Sequence, residues 1–194
     1  MGRNRTFDEA DVTTKAMHAF RRAGYAALSI KDLEKATGLS SGSLYNSFGD
    51  KKSVFRKALR HYNETVVRGR IARHLGGPDP RASVKNLFLS LLHEPDGCLL
   101  TNTAIEFASD TSITAGEVEN GFHRLEAALA REVHRASGAG DTAPLSSASR
   151  RAALRLLVFY QGILVLLRSG RDAGALRHAI ITEIETILGE TTNG

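Results

Sequence analysis

Residues 37–52 read "TGLSSGSLYNSFGDKK". This stretch is too rich in small and polar residues for a core strand. Leu44 and Phe48 stand four apart, which puts them on one edge of a helix. The opposite face carries Ser41, Gly42, Ser43, Asn46 and Ser47. Ser40 can cap this helix, Gly49 breaks it, and Asp50 can cap the next one. Upstream, Ser29 stands before "IKDL" with Asp32 three positions on, a capping-box signature, and that helix stops at Gly38. The spacing predicts two short helices joined by "TGLS", a tight Gly-containing turn that lets them cross steeply: a helix-turn-helix. Ile30, Leu33, Ala36 and Leu39 can pack on Phe20. That residue belongs to a preceding helix over 8–23, striped by Val12, Ala16, Ala19 and Ala23.

A helix face of small, hydrogen-bonding side chains can sink into a DNA major groove and read base edges. Its N-terminal N–H groups favour phosphate, and Lys51, Lys52, Arg56 and Lys57 follow just beyond it. The residues alone also allow a plain Ser-rich connector. Charge bears on the choice. Residues 1–75 carry 15 Lys/Arg against 7 Asp/Glu, or +8, and residues 76–194 carry 11 against 14, or −3, which gives the net +5 of the chain. A basic N-terminal part and a slightly acidic remainder suit an end that meets a polyanion.

The rest of the 194 residues also reads as helix. A long helix is expected from Lys51 to about His74. "GGPDP" (76–80) is a linker, and further helices are expected near 81–94, 98–109, 115–137, 145–169 and 173–188. Neither strand alternation nor an internal repeat stands out, and four Pro with no Trp suit a helical chain.

Residues 7–62 resemble the DNA-binding domain of the TetR family of bacterial transcriptional regulators. The run "AFRRAGYAALSI" followed by "KDLEKATGLSSGSLYNSFGDKKSVF" carries the likeness, with Gly38, Ser43, Leu44, Tyr45, Phe48 and Lys51 at the family's spacing. The resemblance implies an all-α protein. Residues 1–50 would form a three-helix helix-turn-helix domain, 51–75 a connecting helix, and 76–194 a helical bundle for effector binding and dimerisation. It implies that Tyr45 and Lys51 contact phosphate, that Ser41, Gly42, Ser43 and Asn46 meet bases, and that Ser29 lies near the backbone. Ser47, also expected at the DNA, departs from the pattern, since many members carry His there. The implied partners are a palindromic double-stranded operator, a second copy of the chain and a small-molecule effector.

The segment 145–169 is apolar around much of its circumference, so it needs burial on more than one side. One side can meet the bundle and another a partner subunit, with Leu157 or Leu164 facing the partner. Leu176, Ile180, Ile184, Ile187 and Leu188 of the last helix can add to that interface. A pair of helix-turn-helix units about one DNA turn apart would then read a palindrome.

In "EPDGCLLTNTAIEFASD" (94–110), Asp96 or Gly97 can cap a helix with Cys98 in its first turn, where the helix dipole favours thiolate. Cys98, Asn102 and Glu106 follow at i, i+4 and i+8 as one polar stripe. The run "GCLLTNTAIEFA" resembles a subgroup of TetR-like regulators with a Cys at this point, some of which respond to electrophiles or oxidants. Cys98, Asn102, Glu106, Phe122 and Phe159 are therefore the candidate effector residues. Phe88 and Tyr160 are further aromatics that could line a pocket. The residue-level alternative for Cys98 is a small buried hydrophobe.

One cysteine excludes an internal disulfide and a multi-Cys metal site. His93, His123 and His134 form no metal-ligand spacing, and no hydrolase, kinase or P-loop motif occurs. No enzyme, cofactor or metal is expected. "MGRNRTFDEADVTTK" shows no signal peptide, and the apolar run 152–167 holds Arg155 and Gln161 and is short for a membrane span. A cytoplasmic, effector-responsive repressor is the expectation. An architectural DNA-binding protein without a sensor is the alternative, which the roughly 115 residues after the linker disfavour.

Overall fold

The structure is a computed structural model that describes residues 7–94, 96–107, 111–114, 116–140 and 143–190. The protein is all-α, and among the described residues there is no strand. The helices are α1 (Glu9–Ala23), α2 (Ile30–Thr37), α3 (Ser41–Phe48), α4 (Lys51–Tyr62), α5 (Arg68–His74), α6 (Pro80–Leu89), α7 (Leu99–Glu106), α8 (Thr111–Thr114), α9 (Glu117–Ala136), α10 (Ser147–Arg168) and α11 (Ala173–Glu190). Among the described residues no helix is long and apolar enough to cross a membrane.

Local chemistry sets the first four helices. Asp8 Oδ1 accepts from the Ala10 N–H at 2.8 Å and starts α1. Both arms of the capping box at α2 are made: Ser29 Oγ accepts from Asp32 N (3.2 Å), and Asp32 Oδ2 accepts from Ser29 N (3.0 Å). Gly38 ends α2 with φ +75°, in the left-handed region. Ser40 Oγ caps α3 through Ser43 N (3.3 Å), and Asp50 Oδ1 caps α4 through Ser53 N (2.7 Å).

Two elements differ from the sequence reading. The helix expected over 51–74 is interrupted by a π turn at Asn63–Val67. There the Asn63 amide donates to the Glu117 carbonyl (2.8 Å) and to Glu117 Oε2 (3.1 Å). The break expected at "SDTSIT" contains the single turn α8. Helix α6 also tightens into a 3-10 turn at Ser90–His93.

The helices pack as two compact units. One comprises the chain up to Val66 together with Leu99–Val118; the other comprises Val67–Cys98 and the chain from Glu119 onward. The units interleave along the chain, whereas the functional division expected from sequence follows chain order. In the first unit, Phe20, Leu33, Leu44, Phe55, Leu59 and Tyr62 are buried. The Phe20 and Phe55 rings meet edge-on at 4.8 Å, and Tyr25 lies 4.9 Å from Phe55 and 5.3 Å from Phe107. In the second, α6 packs on α5 and α11, and α11 on α10. Val84, Leu87, Phe88, Leu156, Ile163, Leu164, Ile180 and Ile184 fill its interior. Its polar core is an Arg70 guanidinium that donates to Tyr160 Oη at 2.7 Å and pairs with Glu94.

Candidate nucleic-acid interface

Helix α3 turns two opposite faces to its surroundings. Leu44 and Phe48 are buried, and the Phe48 ring stacks on Phe7 at 6.4 Å between centroids. Gly42, Ser43, Tyr45 and Asn46 are exposed on the other side, while Ser41 and Ser47 are half-buried. Tyr45 is 40% exposed, a large outlay for an aromatic ring on a short helix. Ser29 is exposed at the start of α2.

The flanking cations are held in place. Lys51 Nζ lies 4.4 Å above the Tyr25 ring, and Lys57 Nζ lies 4.7 Å above Phe48 while pairing with Glu9 at 2.7 Å. Lys52 Nζ donates to Ser112 Oγ (3.4 Å), and Arg56 donates to the backbone carbonyls of Ser112 and Ile113. Helix α8 therefore braces the basic start of α4.

The N-terminus of α3 is more occupied than the sequence reading allowed. The Glu34 carboxylate accepts from the Ser41 N–H, and Ser40 takes the Ser43 N–H. Two of the helix's leading N–H groups are thus satisfied internally. The Ser41 N–H holds the Glu34 carboxyl below its ordinary value. Glu34 had no local signal in the sequence, because its partner lies seven residues on, across the turn.

The candidate effector residues fall into both units. Cys98 is buried and stands immediately before α7 rather than in its first turn. Asn102 donates to the Arg21 carbonyl at 3.2 Å. Glu106 accepts from Tyr25 N (2.9 Å) and Ala26 N (2.6 Å). Asn102 and Glu106 therefore hold the α1–α2 turn of the first unit. Phe122 is half-buried on α9. The Phe159 ring stacks on Phe88 at 5.8 Å, and Tyr160 meets Phe88 edge-on at 5.5 Å. Burial pushes the Tyr160 hydroxyl up to about 12, although Arg70 pulls it down, so it stays protonated. Arg70, Glu94 and the polar role of Tyr160 were missed in the sequence, since the contact spans 90 positions.

Residues 12–58 match the family model described as "Bacterial regulatory proteins, tetR family". That segment is a TetR-family DNA-binding domain. Two curated relatives are similar over most of their length. One is the uncharacterized HTH-type transcriptional regulator YezE of Bacillus subtilis (strain 168), 29% identical over 147 residues, with 73% of this chain and 76% of YezE covered. The other is the HTH-type transcriptional repressor ComR of Escherichia coli (strain K12), 27% identical over 177 residues, with 87% of this chain and 83% of ComR covered. Among solved TetR structures, that of CifR in complex with 26-bp double-strand operator DNA shares the fold, with a TM-score of 0.77, 24% identity and 96% and 98% of the two chains covered. The match at 12–58 spans the helix-turn-helix and the Lys51–Lys57 cations.

Proposed function

We propose that this chain is a TetR-family regulator: a dimeric, sequence-specific DNA-binding repressor that a small-molecule effector releases from its operator. The observation that carries the reading is the outward face of α3, where Gly42, Ser43, Tyr45 and Asn46 are exposed opposite a buried Leu44–Phe48 edge. Small residues let such a helix approach base edges, and the Asn46 amide matches the donor–acceptor pair of adenine. Lys51 and Tyr45 lie at the margin of that face, where phosphates run. CifR, of the same fold, is seen with operator DNA, and ComR is a repressor, which supports the same role here.

Dimerisation is supported by α10. Leu154 (52%), Val158 (66%) and Val165 (45%) are exposed at i, i+4 and i+11, an apolar stripe on one face of a helix. Leu164, expected from sequence as a partner-facing residue, is buried inside its own unit, and Leu157 is half-buried. The effector candidates Cys98, Phe122 and Phe159 remain part of the proposal, as do Asn102 and Glu106 through the turn they hold.

The test is footprinting of the purified protein on the DNA flanking its own gene. A protected palindrome is expected, with Asn46→Ala losing preference at one base-pair position by about 1–3 kcal/mol. Lys51→Ala should weaken binding to all sequences and lower the salt slope by about 1. Salt-independent or sequence-indifferent binding by the wild type would overturn the reading.

A further inference from the structure

A second feature of the molecule lies at the C-terminal end of α9, inside the second unit. A cleft of about 550 Å³ is lined there by Arg131, Glu132, His134, Arg135, Ala143 and Leu145. That volume lies within the range of small-molecule sites. Its floor is rigid. Glu132 is buried, takes the Gly76 N–H at 2.6 Å, and receives Arg135 Nη1 on both oxygens at 3.0 Å. Arg135 Nη2 donates to the Gly77 carbonyl at 2.7 Å, which ties the 76–77 turn to α9. The charges of Glu132 and Arg135 are thereby consumed by each other.

Two polar groups at the cleft are not consumed. His134 is only 6% exposed, yet neither ring nitrogen has a hydrogen-bond partner among the described residues. Buried polar groups are paired as a rule, and an imidazole left with both nitrogens idle is costly. Arg131 lies one turn before it and has no acidic partner among the described residues. A guanidinium is a planar donor array fitted to a carboxylate. The Ala143 and Leu145 side of the cleft offers an apolar wall.

We propose that this cleft binds a small organic acid. Its carboxylate would accept hydrogen bonds from Arg131 and, with the imidazole turned into the cleft, from an N–H of His134, whose ring nitrogens are otherwise screened from solvent, and its apolar body would lie against Ala143 and Leu145. One unspent guanidinium and one imidazole suit a single negative charge, and the apolar wall suits a hydrophobic ring or chain. The site shares no residue with Cys98, Asn102, Glu106, Phe122 or Phe159. The proposal concerns occupancy alone, so it does not rest on DNA binding.

The probe is 2-naphthoate, titrated into the full chain by calorimetry and by imidazole ¹⁵N NMR, with neutral 2-naphthamide as the control. Saturable binding with a Kd below about 1 mM is expected, with a shifted His134 resonance. Arg131→Gln, a surface change on an intact helix, should weaken 2-naphthoate about tenfold, the amide should bind about tenfold more weakly than the acid, and Leu145→Trp should fill the cleft and abolish binding. Circular dichroism identifies a variant that fails to fold, in which case Ala143→Trp replaces Leu145→Trp. Absence of saturable binding by the folded wild type, equal binding of acid and amide, or wild-type affinity in both Arg131→Gln and the folded Trp variant would overturn the proposal. Because no DNA enters the titration, its failure would leave the regulator reading untouched.

Discussion

Glu106 binds two successive backbone N–H groups, those of Tyr25 at 2.9 Å and Ala26 at 2.6 Å. The turn that presents them needs Gly24 at φ +82°, and a Cβ there would stand 3.2 Å from Glu106 Oε2. Glu106→Ala removes both acceptors. It should destabilise the first unit by about 1 kcal/mol in denaturant unfolding and speed amide exchange at Tyr25 and Ala26. Unchanged exchange at those two amides would show that the carboxylate does not hold the turn. Three capping carboxylates act likewise on pH. Hydrogen bonds from Ser29, Ser41 and Ser53 hold Asp32, Glu34 and Asp50 below their ordinary values. A carboxyl with a lowered folded value contributes stability that is fully present above its unfolded value and is lost as pH falls through the folded one. Stability of the first unit should therefore fall as the pH drops below roughly 4. Asp32→Asn combined with Asp50→Asn should flatten that decline in thermal unfolding curves taken across the acid range. Caps three residues away were legible in the sequence because their chemistry is local. Glu34 with Ser41, and Glu106 with Tyr25, were not, because only the folded turn brings them together.

Helix α3 and its neighbours set a sharper test at the scale of an element. Gly42 is helical, and a Cβ built on it meets nothing within 4 Å. Gly42→Ala should therefore leave the fold intact or stabilise it by up to about 1 kcal/mol. If α3 enters the groove closely, the same change should weaken operator binding. Thermal unfolding and operator titration of this one variant thus move in opposite directions, and a variant with wild-type affinity would place the contact elsewhere on the helix. Gly38 gives the contrast: it also has open space, but it sits at φ +75°, so Gly38→Ala should cost about 1 kcal/mol through the backbone alone. The boundaries of α2, α3 and α4 could be read from Ser29, Gly38, Ser40, Gly49 and Asp50, each a residue with a local role. The π turn at Asn63–Val67 could not. Its apolar positions fit an unbroken helix, and the bonds from Asn63 to Glu117 join residues 54 apart.

For the whole molecule, the exposed stripe of α10 predicts self-association. Val158→Glu introduces a charge at a side chain that is 66% exposed, so the protomer should stay folded while the dimer is lost. Sedimentation at micromolar concentration should give a dimer for the wild type and a monomer for the variant. A wild-type monomer would remove dimerisation from the proposed function. Periodicity revealed that α10 is apolar on more than one side, but not which leucine faces inward: Leu164 is buried and Leu154 is exposed, a choice made by the packing of α10 against α11 and the Ser90–His93 turn. The assignment of 99–118 to the first unit was equally hidden, because "GGPDP" looks like the natural division of the chain. This interleaving has a consequence for the order in which the protein comes into being. During synthesis Val66 emerges roughly 50 residues before Val118. At about 5–20 residues per second, the first helices would wait some seconds for the Phe107 ring, the Glu106 carboxylate and the α8 carbonyls that complete their packing. A nascent chain halted near residue 75 should accordingly be more sensitive to protease than one halted beyond residue 118, even though every helix of the helix-turn-helix is already present in both.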